Sequence, residues 1–287
     1  MSKKEKIKEL IFNGKIEEAL KLADVEDIEL LFDCGNVCWL NEITSKAKPI
    51  GAYKIYSRIV QLDPRIAEAW YHKGDILNVL GEYDEAVRAF DEAINLNPRN
   101  DKAWYNKGLA LHSLGEYVEA IRCYDQTIKL KPDNAGAWFH IGVVLSLLDK
   151  NNEAIECFEK AIELNPNNAD AWLCKGSTLG SLGEHVEAIR CFNMAIELNP
   201  DIAGAWPHKG LALTSLEKFD EAIRCYDKAI ELNPNDADAW YFKGLTSRFL
   251  EKYDEAIRCF ERTIELDPSN ADAREMLDKI QRLKQQK

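Results

Sequence analysis

Residues 67–100 read AEAWYHKGDILNVLGEYDEAVRAFDEAINLNPRN, and their apolar spacing decides the fold. Trp70, Gly74, Leu77 and Leu80 recur at three and four residues, which places them on one face of a helix. Gly81-Glu82 breaks that helix. Tyr83, Ala86, Val87, Phe90, Ala93 and Ile94 form a second stripe of the same period. Asn97-Pro98 ends it, because the residue before a proline is pushed out of the α region. The segment therefore predicts a helical hairpin. Gly74 and Ala86 are small enough to let the two helices approach, and Trp70 and Phe90 are expected to fill the wedge between them.

The same pattern recurs every 34 residues. Trp70, Trp104, Trp138, Trp172, Trp206 and Trp240 keep this step, and so do the prolines from Pro64 to Pro268. A fixed period of this length means one supersecondary unit copied and stacked, each copy burying its apolar face on its neighbours. Six regular units follow, at 67–100, 101–134, 135–168, 169–202, 203–236 and 237–270. Their hairpin turns are expected at Gly81, Gly115, Asp149, Gly183, Glu217 and Glu251.

The ends are degenerate. In 1–66 two irregular hairpins are expected. One lies over 3–24, broken at Asn13-Gly14, and the other places Leu31 in the tryptophan position and Gly35 on Gly74. The join between the latter's helices, Thr44 to Gly51, is longer than the regular turn. Residues 271–287 are expected to form a C-terminal capping helix, with Met276, Leu277, Ile280 and Leu283 inward and a polar outer face that includes Arg274, Asp278, Arg282 and Gln285.

These units resemble the tetratricopeptide repeat family, on Trp70-x2-Lys73-Gly74-x2-Leu77, Ala86-x3-Phe90 and Pro98 and their equivalents across 67–270. Two departures are regular: Leu77 stands where the family has tyrosine, and Lys73 where it has leucine. The resemblance implies an all-α, right-handed superhelical solenoid of antiparallel helix pairs whose first helices line a concave groove. It further implies that the groove is faced by residues one, two, five and eight positions after each tryptophan. The groove residues expected from this are Tyr71, His72, Tyr105, Asn106, Leu109, His112, Phe139, His140, Val143, His208, Leu211, Tyr241, Phe242, Leu245 and Arg248, joined by Phe32 and Trp39 from the preceding hairpin. The set is aromatic and apolar, and contiguous apolar surface open to water marks an interaction site. The competing reading is that the rings only pack on neighbouring helices. The chaperone-carboxylate clamp known in the family uses lysine, arginine and asparagine in these positions, so Tyr71, His72, Tyr105 and Leu109 argue against it.

The rest of the sequence narrows the function classes. The 287 residues carry a net charge of -12, which opposes non-specific binding to nucleic acid or anionic membrane. The amino terminus lacks an apolar run long enough for a leader or a membrane span, and a cytoplasmic protein is expected. Cys123, Cys157, Cys191, Cys225 and Cys259 follow the 34-residue step. Helices pack at roughly 8–10 Å, too far for a disulfide between successive repeats, so a ladder of free thiols is expected. His72, His140 and His208 sit on alternate repeats, too far apart to share a metal. The row Lys73, Lys107, Lys175, Lys209 and Lys243 is expected to pack its stems while its ammonium groups reach acids such as Asp91 and Glu92. Asp84/Arg88, Asp220/Arg224 and Asp254/Arg258 are expected i,i+4 pairs. Gly176-Ser-Thr-Leu-Gly180 lacks the residues of a phosphate loop. No catalytic motif, cofactor or metal site is expected. The sequence therefore points to a non-enzymatic scaffold that binds a peptide or helix of a protein partner. The runner-up is a self-association module forming homo-oligomers through its groove or ends.

Overall fold

The computed structural model describes residues 1–44, 49–202 and 204–285. Part of the Thr44–Gly51 join, Ala203 and the Gln285 side chain lie outside the described residues. Among those described the chain is helical, with no strand. It divides into two compact units, 1–144 and 145–287.

In the first unit α1 (Lys3–Phe12), α2 (Ile16–Leu22), α3 (Ile28–Thr44) and α4 (Ile50–Leu62) precede the regular pairs α5 (Ala67–Leu80) with α6 (Tyr83–Leu96) and α7 (Asp101–Ser113) with α8 (Tyr117–Leu130). Helix α9 (Ala135–Leu147) carries the boundary. The second unit continues with α10 (Asn151–Leu164), α11 (Ala169–Ser181) with α12 (His185–Leu198), α13 (Ala205–Ser215) with α14 (Phe219–Leu232) and α15 (Ala237–Phe249) with α16 (Tyr253–Leu266), and ends with α17 (Ala271–Gln285). Within each unit a second helix packs both on the first helix of its own pair and on the first helix of the next, as α6 does on α5 and α7, and α12 on α11 and α13. Helix α17 continues this order by packing on α16, with Ile280 buried and Met276 and Leu277 partly buried against Phe260.

The small residues act as the spacing predicts. A Cβ on Gly74 would stand 2.7 Å from the Phe90 ring, and one on Gly108 would stand 2.6 Å from that of Tyr124. Phe90 is fully buried and fills the wedge of its hairpin. Trp70 packs on the same core but is only partly buried. Its indole instead spans two repeats, donating Nε1–H to the Pro64 carbonyl at 2.9 Å. Trp104, Trp172, Trp206 and Trp240 bond Pro98, Pro166, Pro200 and Pro234 in the same way, at 3.0–3.1 Å. The tryptophan and proline periods are thus one feature, a latch six residues long that ties each first helix to the turn before it. Trp138 lacks this bond, and its Nε1 is buried without a partner.

All six expected turns adopt the left-handed conformation. Gly81, Gly115 and Gly183 do so at φ near 80°, where glycine has no steric penalty. Asp149, Glu217 and Glu251 do so at φ 59°, 58° and 56°. An L-residue there carries a cost of roughly 1–2 kcal/mol, partly offset because glycine orders a freer unfolded chain. Glu217→Gly is therefore expected to stabilise the protein by about 0.5–1 kcal/mol, read as a higher urea midpoint. Glu221→Gly, inside α14, should lower it by about 1 kcal/mol. Equal signs for the two would refute the turn argument.

The charged faces pair differently from the i,i+4 expectation. Arg88 reaches Glu85 at 2.7 Å rather than Asp84. Asp220 is taken by Lys252 of the following pair at 3.1 Å, and Asp254 by Lys284 of α17.

Candidate functional site

The faces formed by the first helices carry the expected groove residues, and each unit has its own stretch of them. In the first unit Tyr71, Tyr105 and Phe139 are half-buried. Tyr71 lies 6.2 Å from the Phe90 ring and Tyr105 5.9 Å from that of Tyr124, both on the second helix of their own pair. The competing reading is thus partly realised, since one side of each ring packs while the residue stays partly open.

The next position bridges repeats. His72 stacks on Tyr56 of α4 at 4.9 Å and meets Phe32 edge-on at 6.5 Å. His140 stacks on Tyr124 of α8 at 5.6 Å, with Tyr105, His112 and Phe139 around it. Burial draws the imidazole of His140 down to about 4, with His112 adding to the effect. Burial also lowers His72, although Glu68 opposes it. These histidines serve as neutral stacking plates at neutral pH. No group of metal-ligating side chains occurs among the described residues.

A polar bridge crosses the same wall. Asn106 Nδ2 donates to Asp75 Oδ1 at 3.0 Å and to the Tyr71 hydroxyl at 3.4 Å, and Asn78 Nδ2 donates to the Asn106 carbonyl at 3.1 Å. Burial pushes the Tyr71 phenol up to about 12, reinforced by Asp75 and opposed by the Asn106 amide. Asn78 Oδ1 and His140 Nδ1 are buried without a partner. Leu109, His112 and Val143 complete the partly exposed surface, while Trp39 packs on the amino-terminal core.

In the second unit Phe242 stacks on Tyr226 at 6.4 Å and Tyr241 meets Phe260 edge-on at 5.9 Å. Leu245 is half-buried, whereas His208 and Leu211 are exposed. His208 Nδ1 lies 2.6 Å from the Gly204 carbonyl. The Arg248 guanidinium covers the Phe249 ring at 5.2 Å. The residues of this face are thus brought together pairwise rather than into one aromatic strip.

The lysine row explains one departure from the family pattern. Lys107 pairs with Asp91 at 2.5 Å, Lys175 with Glu159 at 2.8 Å, and Lys243 with Asp227 and Glu255 at 2.7 and 3.1 Å. Each reaches an acid on the second helix of the preceding pair. Burial works to lower Lys243, but the two carboxylates outweigh it and its pKa is raised. The ammonium groups of Lys73, Lys107, Lys209 and Lys243 also stand 5.0–5.9 Å from the tryptophan rings of their own repeats. Lysine in place of leucine thus caps the latch and ties two repeats. Lys73 forms no ion pair with Asp91 or Glu92, although it lines one cleft with both, and Asp91 pairs with Lys107.

The five registered cysteines are buried thiols, none of them in a disulfide. Burial pushes Cys123 and Cys259 up to about 11, which leaves them as unreactive thiols near neutrality. Two clefts lie on the side of the second helices. One of 710 Å³ is lined by Ile155, Trp172, Lys175, Cys191 and Met194, and one of 560 Å³ by Trp104, Lys107, Leu111 and Cys123. Sequence reasoning placed no site there, because the side chains around each cleft read as one solvated face.

Models described as tetratricopeptide repeat match 101–134, 135–168, 237–270 and 157–190, and a TPR repeat model matches 74–115 and 210–246. These matches take in more than half of the chain, and the chain belongs to the tetratricopeptide repeat family. Solved structures agree. MamA is 29% identical, with a TM-score of 0.54 over 57% of this chain and 96% of that one. YrrB, described as a TPR protein with an unusual peptide-binding site, is 24% identical, with a TM-score of 0.55 over 64% of this chain and 95% of that one. The C-terminal part of a TPR repeat-containing protein from Cytophaga hutchinsonii is 17% identical, with a TM-score of 0.67 over 86% and 99%. The last two likenesses speak to the fold. No curated protein matches the chain. Among the described residues no helix is long and apolar enough to cross a membrane.

Proposed function

We propose that the protein is a non-enzymatic scaffold whose first-helix face in the amino-terminal unit binds an extended or helical peptide of a protein partner. The observation that carries this reading is the wall of Tyr71, Tyr105, Phe139 and His140. Its rings are held by stacking on second-helix aromatics and on one another, and they remain partly open. Rings fixed before binding lose little side-chain entropy when a partner arrives. Aromatic anchors of this kind dominate interface energetics. The hydrogen bonds among Tyr71, Asp75, Asn78 and Asn106 present polar groups that can orient a peptide main chain beside the rings.

Peptides selected from a random dodecapeptide library on the full chain provide the test. Hydroxyl-radical footprinting with a selected peptide should protect Tyr71, Tyr105 and Phe139. Protection confined to the second helices would place binding on the opposite side and reject this reading.

A further inference from the structure

The amino-terminal unit holds a second feature, on the side of the second helices and apart from the wall above. A cleft of 700 Å³ opens between α2 and α4, with Lys21, Tyr53, Lys54, Ser57, Arg58 and Gln61 among its lining residues. Its charge runs against that of the chain, which is net -12. Lys21, Lys54 and Arg58 line it against a single acid, Glu17, which Lys54 holds at 2.5 Å. Neither Lys21 nor Arg58 has a carboxylate within ion-pair distance. Arg58 spends Nη2 on the Ala23 carbonyl at 3.1 Å, and its Nε is buried with no acceptor.

The repeat register shows where on α4 the cleft is short of a second acid. Asp91, Glu159 and Asp227 occupy one position of alternate second helices, α6, α10 and α14, and neutralise Lys107, Lys175 and Lys243. On α4 this position is Ser57. Its hydroxyl is buried and unpartnered. The lysine at the register of Lys107 is Lys73, half-buried, 6.0 Å from the centre of the Tyr53 ring. It lines the neighbouring cleft with Glu85, Asp91 and Glu92 rather than this one, and forms no ion pair with them; burial lowers its pKa. The cleft thus gathers Lys21, Lys54 and Arg58 around one acid, already held by Lys54, and two buried groups, the Ser57 hydroxyl and Arg58 Nε, that lack a hydrogen-bond partner.

A buried donor without an acceptor is costly, and so is a half-buried cation without an anion. An oxyanion relieves both: arginine and lysine supply charge-assisted hydrogen bonds and a serine hydroxyl supplies a neutral one. We propose that this cleft is a binding site for a phosphate-class dianion, the anion taking the place that the Asp91 carboxylate fills one repeat later. Ser57 and Arg58 are the inner contacts, and Lys21 and Lys54 the rim. The ion can arrive free or as the phosphoryl group of an ester, and the same residues meet it in either form.

Thermal unfolding of the full chain, titrated with sodium phosphate at pH 7.5 against sodium chloride of equal ionic strength, tests this. Phosphate should raise the midpoint saturably and chloride should not. Ser57→Asp supplies the missing carboxylate. It should raise the midpoint without phosphate and weaken the apparent phosphate affinity at least ten-fold. Arg58→Gln should weaken it similarly. Lys21→Gln, on the exposed rim where folding is not at stake, should weaken it about three-fold. Repeating the titration with N-acetyl-phosphoserine amide separates the sources: a response stronger than to phosphate marks an ester ligand, and a weaker one marks the free ion. A response to phosphate no different from that to chloride would overturn the proposal. So would a phosphate response left unchanged by Ser57→Asp and Lys21→Gln.

Discussion

Phe192→Ala is expected to destabilise the carboxy-terminal unit by about 3–5 kcal/mol, the range for deleting a fully buried ring. Phe192 is 1% exposed. It is clustered with Leu179, Ala188, Cys191 and Ala212, which come from three successive helices, α11 to α13. Its ring edge fills the space where a Cβ on Gly176 would fall 2.8 Å away, and His208 of the next pair lies over it at 6.0 Å. The cavity would therefore open within one hairpin and at its junction with the next. A backbone glycine cannot collapse into it. Because repeat arrays need not unfold in one step, the loss should be read in two ways. Urea unfolding gives the total, and amide exchange should show α11, α12 and α13 losing protection together. Met194 lies two residues along the same helix and is 36% exposed. Met194→Ala should stay within about 0.5 kcal/mol. Comparable losses for the two would mean that the aromatic wedge does not hold the hairpin.

The residues that made the fold legible are those whose role is local or repeats in register. Gly81 and Asp149 both mark a left-handed turn, although only one is glycine, because the 34-residue step carries the position even where the residue type changes. The glycine–aromatic wedge of Gly74 and Phe90 is readable for the same reason. The latch between Trp70 and Pro64 was visible only as two parallel periods. Its hydrogen bond depends on the indole turning toward the preceding loop, an orientation that residue type does not encode. The ion pairs were misread for a related reason. Spacing along one helix suggested Asp220 with Arg224, but the chain brings Lys252 closer from the next pair. In the candidate site, the positions of Tyr71, Tyr105 and Phe139 followed from the family pattern. The bridge from Asn106 to Asp75 crosses two repeats, and only the distance between their helices reveals it. The cation-rich cleft at Ser57 escaped because an absence has no motif. It becomes visible only once Asp91, Glu159 and Asp227 are seen to perform one task.

If the amino-terminal wall binds the partner, replacing Tyr105 and Phe139 together with alanine should weaken a selected peptide by about 2 kcal/mol or more, roughly thirty-fold in Kd. The structure imposes a control on this experiment. Tyr105 lies 5.9 Å from Tyr124 and 5.8 Å from His140, and Phe139 lies 5.1 Å from His140, so the double variant also sheds packing. Trp104→Ala separates the two effects. It removes the Nε1–H bond to the Pro98 carbonyl at 3.0 Å and the ring beneath Lys107, and should lower stability more than the double substitution. Because the indole lies on the Lys107 side rather than on the wall, binding per folded molecule should fall less. Arg122→Ala tests the opposite face. Arg122 is exposed and held only by Glu119 at 3.4 Å, an ion pair worth little in water, so affinity and stability should both stay nearly unchanged. Should the double aromatic variant bind as the parent does while Arg122→Ala abolishes binding, the partner sits on the second helices. The tyrosines and phenylalanine would then be packing groups, held half-open only by the spacing of the repeats.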